Sequence, residues 1–170
     1  FLNLNYGDFA AGILFSPRIA PQLPGLGLLE IIPEAEILAF ADESDSNGDG
    51  ISGRPNYVWD VEKQQSVLGR FGWKSNQPGL KQQAAGAFNG DMGITSNLFP
   101  QDHLSPAQLQ QYPNVPNGGT PEISDEILLK VSTYLQTLSV PVRRDFEDQD
   151  VLRGKYIFKD LNCSGCHRPQ

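Results

Sequence analysis

Cys163, Cys166 and His167 stand in the order Cys-x-x-Cys-His, written CSGCH in the chain, and no other cysteine occurs in its 170 residues. Two residues between the thiols let a tight turn hold both sulfurs at one edge of a porphyrin, where they add to its two vinyl groups. The next residue then falls beneath the ring, and its imidazole reaches the iron. Gly165 suits a tight turn, and Ser164 is small enough to leave the edge clear. The expectation is a c-type haem bound covalently at Cys163 and Cys166, with His167 on the iron. Two other chemistries use the same residues. A redox thiol pair of the thioredoxin kind follows a strand and opens a helix within a βαβ pattern, and nothing of that sort precedes Cys163. Zinc would need further ligands, of which His103 is the one other histidine.

A second constellation is DSNGDGIS. Asp45, Asn47 and Asp49 occupy positions 1, 3 and 5 of an EF-hand-type loop, Gly50 sits at the sharp turn, and Ile51 can offer its carbonyl at position 7. Alternate oxygen-bearing side chains on such a turn converge on one hard cation. Position 12 is Asn56 where a bidentate glutamate is usual, so Asp42, Glu43 or Asp60 would have to stand in. Calcium would pin the loop structurally. The alternative is a polar Asx/Gly turn that holds no ion.

Met92 is the single methionine, in NGDMGIT. A thioether in a rigid loop can serve as the sixth ligand of a c-type haem, or it can simply fill a gap in a core. His103 has three readings: a distal ligand, a proton shuttle or a surface histidine beside Asp102. Trp59 and Trp73 read as core residues of a hairpin.

The elements that must carry these residues are mostly helical. Residues 1–25 mix apolar residues with glycine and proline and read as irregular. A helical pattern from about Leu28 to Ala41 is interrupted at Pro33, with Ile37, Leu38 and Phe40 inward. YVWDV and VLGRFGW alternate with period two and predict a hairpin across EKQQS. Pro78 opens a helix to about Phe88, and FNGDMGITSNLFP reads as loop. Ser105 and Pro106 form a cap and first-position pair for a short helix to about Gln111. Ser124 caps the strongest helix, with Asp125 and Glu126 at its positive end. Its stripe is Ile127, Leu128, Val131, Leu135 and Leu138, and Pro141 ends it. A last helix from about Asp148 to Phe158 leads into the haem motif.

Composition bounds the rest. At 39% hydrophobic residues the chain can bury a core, and a net charge of −7 argues against nucleic acid, whose phosphates need a basic face. That charge suits a basic protein partner or simple solubility instead. No apolar run is long enough to span a membrane. The first residue is Phe1, which implies that an upstream segment has been removed. Nothing in the sequence fixes the oligomeric state.

Two stretches give the haem motif a context. EILLKVSTYLQTLSVP resembles the last helix of a cytochrome c domain, and VLRGKYIFKDLNCSGCH resembles the first helix and haem motif of another. SPRIAPQLPGLGLLEIIPEAEILAFAD, SNGDGISGRPNYVWD, LGRFGWKSNQPGLKQQAAGAFNGDMGITSNLFP and VPVRRD resemble the di-haem oxidoreductase family, also called thiol oxidoreductases and related to bacterial di-haem cytochrome c peroxidases. The resemblance covers nearly the whole chain. It implies a mainly α, cytochrome c-like architecture with an inserted β-hairpin and long loops. Residues 1–140 would be the C-terminal part of a first cytochrome c-like domain, and residues 141–170 a linker and the start of a second. It further implies a periplasmic or secreted enzyme with two haems, one taking electrons from a small redox donor protein and the other reducing peroxide or another oxidant. Met92 would ligate the first haem. A piece with one haem motif would be inactive alone. The rival functions are a plain electron-transfer cytochrome and a haem-free, calcium-dependent binding module.

Overall fold

Pro33 has no N–H to donate and disfavours helical geometry in the residue before it, so the first apolar stretch folds as two short helices. The computed structural model, which describes residues 9 and 11–167, places α1 at Leu26–Glu30 and α2 at Glu34–Leu38. The strands β1 (Tyr57–Asp60) and β2 (Gln65–Leu68) follow, then α3 (Leu80–Met92), α4 (Pro106–Gln111), α5 (Asp125–Thr137) and α6 (Gln149–Asp160). A single 3-10 turn, Cys163–Gly165, comes after α6. Among the described residues the chain is mainly α with one small antiparallel hairpin. None of these helices is long and apolar enough to cross a membrane. The irregular reading of residues 1–8 and 10 lies outside the described residues.

The core forms where α3 crosses α5. Ala84 and Ala85 are small enough to let the helices approach, and Leu128 of α5 closes the space between them. Phe88, Leu98, Phe99, Val131 and Leu135 pack around this centre. Ser132, not Ile127, completes the inner stripe of α5. Its hydroxyl donates to the Leu128 carbonyl, whereas Ile127 is exposed. Ser124 accepts the Ile127 N–H, and Ser105 and Gln108 form a reciprocal capping box on α4.

α1 is held to this pair by backbone proximity and one carboxylate. Gly27 lies so close to the Gln136 carbonyl that no Cβ would fit. Glu30 accepts the Leu80 N–H at 2.8 Å and the Gln136 side-chain amide at 2.6 Å, so it ties α1 to the start of α3 and to α5. Arg70 donates to the Ile32 carbonyl at 2.6 Å, satisfying an acceptor left open where the helix breaks.

Four sequence expectations change here. The second strand stops at Leu68, and Phe71 instead pairs with Gln77 in an isolated bridge. The first strand alternates in the phase opposite to that expected, while the second is exposed at Gln65 and Ser66 and turns inward at Val67 and Leu68. Val58 and Asp60 face inward, while Trp59 is 53% and Trp73 58% exposed, and the Arg18 guanidinium stacks over the Trp73 ring. Phe40, expected inward, is also exposed. The fourth change is α3, which starts at Leu80 and continues to Met92. Gly93, left-handed at φ 69°, closes it by donating to the Asn89 carbonyl, and Ile94 donates to that of Phe88.

Candidate haem-attachment site

The haem motif is delivered by α6. Asp148 caps that helix by accepting the Asp150 N–H at 2.7 Å. The chain then reverses at Asn162, which is left-handed at φ 56°, a conformation asparagine tolerates better than most residues. Gly165 donates to the Asn162 carbonyl at 3.0 Å, and Cys166 and His167 donate to the Cys163 carbonyl at 3.3 and 2.9 Å. The two cysteines and the histidine are thereby gathered on one turn.

Both thiols are free of a disulfide, Cys163 half-buried and Cys166 exposed. The His167 side chain is exposed, with the Phe158 ring of α6 beside it at a centroid distance of 6.3 Å and a 59° tilt. Two unpaired thiols and an accessible imidazole on one turn are the donor set that a covalent haem requires. The residues present therefore fit haem c. A thioredoxin-like arrangement is not seen, since the motif follows a helix and the described sheet is a separate antiparallel hairpin. Among the described residues no three histidine, cysteine or acidic side chains are arranged so that they could hold a metal ion by themselves.

Met92 lies elsewhere, as the last residue of α3, with its side chain 57% exposed. His103 borders a cavity of about 220 Å³ with Asn89, Gly93, Asp102, Val115 and Glu122. Neither shares an element with the haem turn.

The acidic loop is brought to it. Ile51, at position 7 of the EF-hand-like stretch, rests against Gly165: a Cβ on that glycine would stand 2.8 Å from Ile51 Cδ1. The loop's oxygen-bearing side chains point largely to its own backbone. Asp42 accepts from the N–H and hydroxyl of Ser46 and from the Asn47 N–H, Asn47 from Asp49, Asp45 from Gly50, and Asp49 from Ile51. The bonds at Asn47 and Asp49 are Asx turns, and those at Asp42 and Asp45 reach four or five residues ahead. The sequence pattern revealed neither the Ile51–Gly165 contact nor the Phe158–His167 pair. Both depend on the reversal at Asn162, for which the residue type was the only signal.

Three carboxylates are held below their ordinary range. The Ser46 N–H and then its hydroxyl lower Asp42, against weak desolvation. The N–H groups of Thr95 and Gly118 do the same for Glu122, at 2.8 and 2.7 Å. Burial pushes Asp60 up, but the Lys63 N–H, the Lys63 ammonium and the Glu62 N–H together outweigh it. Each group therefore stabilises the fold above its ordinary value, 3.8 for the aspartates and 4.5 for Glu122, and that contribution is lost as pH falls through the lower folded value. The melting midpoint should hold steady from neutral pH down to about 5 and drop below about 4. A midpoint unchanged to about pH 3 would mean that these bonds do not stabilise the fold.

A family model described as "Di-haem oxidoreductase, putative peroxidase" matches residues 4–170. No curated protein and no solved structure matches the chain. With the match running through nearly every residue, the haem turn included, the chain belongs to the di-haem oxidoreductases.

Proposed function

We propose that the native protein passes electrons between two covalent haems and delivers them to peroxide, and that this chain provides the attachment site of one of them. The observation that carries this reading is the single turn bearing the free thiols of Cys163 and Cys166 and the exposed imidazole of His167. When bound, haem c supplies one-electron chemistry at its iron. The thiols would hold the porphyrin edge, and His167, with the Phe158 ring beside it, would offer a ring nitrogen to the metal. Reducing peroxide to two waters consumes two electrons and two protons, which two one-electron centres in one protein are suited to supply.

Residues 1–140 belong, on this reading, to a first cytochrome c-like unit and residues 141–170 to the start of a second. Met92 is the proposed ligand of the first unit's haem, and its exposure at the end of α3 leaves the thioether accessible. On this reading the protein works in the periplasm or outside the cell, where c-type haem is attached. The net charge of −7 favours a small basic donor protein.

The test is rapid mixing of the native, matured protein, reduced beforehand, with hydrogen peroxide. Reoxidation whose rate rises with peroxide concentration is expected. Reversible reduction by a donor with no response to peroxide would make the protein a plain electron-transfer cytochrome.

A further inference from the structure

The haem turn has few footholds. α6 contributes no buried residue, and Cys166, His167 and Gly165 are exposed. The loop between Asp42 and Gly53 supplies a foothold. It is tied at its base by the Asp42 N–H donating to the Gly53 carbonyl at 2.9 Å, and its interior is knitted by the side-chain-to-backbone bonds described above. The last of these, from the Ile51 N–H to Asp49 at 2.8 Å, fixes the backbone of Ile51. The half-buried Ile51 side chain then meets Gly165 in the middle of CSGCH.

We infer that Ile51 is a positioning residue for the haem-attachment turn, and that the loop from Asp42 to Gly53 is the platform that holds it there. The inference rests on the haem reading of Cys163, Cys166 and His167. Gly165 is the one residue of the motif with no side chain, so the loop can approach its α-carbon closely. The Ile51 Cδ1 methyl occupies the space a Cβ would take. It sets how far the turn can sink toward the body of the protein. The height of the turn in turn sets where the thiols and the imidazole stand. The oxygen side chains that look in sequence like a cation loop serve, in this account, to stiffen the support under the haem.

The test compares Ile51→Val, which removes only the contacting methyl, with Ile51→Ala and Ile51→Leu in the native protein made without haem. Hydrogen exchange of the Gly165 and His167 amides reports the turn, because those N–H groups donate to the Asn162 and Cys163 carbonyls. Amides of α3 and α5 report the fold as a whole. The expected result is turn exchange about fivefold faster in Ile51→Val, at least tenfold faster in Ile51→Ala, and near wild type in Ile51→Leu, with α3 and α5 unchanged in Ile51→Val. After c-type maturation, Ile51→Ala should also carry severalfold less attached haem. Turn exchange in Ile51→Val equal to wild type would overturn the positioning role. A matured wild type without haem would instead sink the haem reading, a separate result.

Discussion

Replacing Cys163 and Cys166 together by alanine should abolish covalent haem in a chain matured where c-type haem is attached. Intact mass should lose one haem increment, and the Soret absorption should vanish from the denatured, extracted protein. Each thiol accounts for one thioether bond, and the chain holds no third cysteine to substitute. The fold should survive. Cys166 is exposed, Cys163 is half-buried, and among the described residues the polar contact of these sulfurs is a 4.0 Å approach of Cys163 to the Leu161 carbonyl. Stability without haem should therefore change by less than about 1 kcal/mol. His167→Ala separates attachment from ligation. It should keep the mass increment, because the thioethers remain, and lose the spectrum of an imidazole-bound iron. A double cysteine variant that still carried covalent haem would refute the assignment.

Leu128→Ala should be the most damaging core substitution. The side chain is 0% exposed and clusters with Ala84 and Ala85, whose methyl groups cannot expand to fill the space. A leucine truncated at such a site costs about 3 kcal/mol, from lost burial and the cavity left behind. For a chain of this size that lowers the melting midpoint by roughly 10 °C. The matched control is the adjacent Leu129→Ala on the exposed side of α5, expected to change stability by less than about 0.5 kcal/mol. Equal effects at the two positions would mean that the α3–α5 crossing is not the core. Thermal unfolding followed by circular dichroism distinguishes the outcomes.

The parts that were legible in the sequence rest on local chemistry. CSGCH was readable because its spacing encodes a covalent geometry. The caps at Ser105 and Ser124 were readable because a side-chain oxygen three residues before a free N–H is a local arrangement. The break at Pro33 was readable for the same kind of reason. What remained hidden was decided by tertiary contacts. Alternation in Tyr57–Asp60 has a period but no phase. The inner face is chosen by α3, where Gln82 donates to the Trp59 carbonyl and accepts the Val61 N–H. Asn89, Gly90 and Gly93 around Met92 have the composition of a loop. Packing of Phe88 on the core and the left-handed Gly93 carry the helix through to Met92 regardless. Asp45, Asn47 and Asp49 match a cation loop by spacing, and that spacing does not announce the bonds they accept from the loop's own backbone. The Ile51–Gly165 contact joins two motifs far apart in sequence, and no local pattern announces it.

The central claim is that this turn holds a haem. The most direct measurement is an intact mass with an absorption spectrum of the chain produced in a periplasm competent for c-type maturation. The account predicts a mass increased by one haem, a Soret band that persists after denaturation, and the increment on the peptide that contains Cys163 and Cys166. A colourless chain of bare polypeptide mass, made alongside a control cytochrome that matures normally, would contradict it.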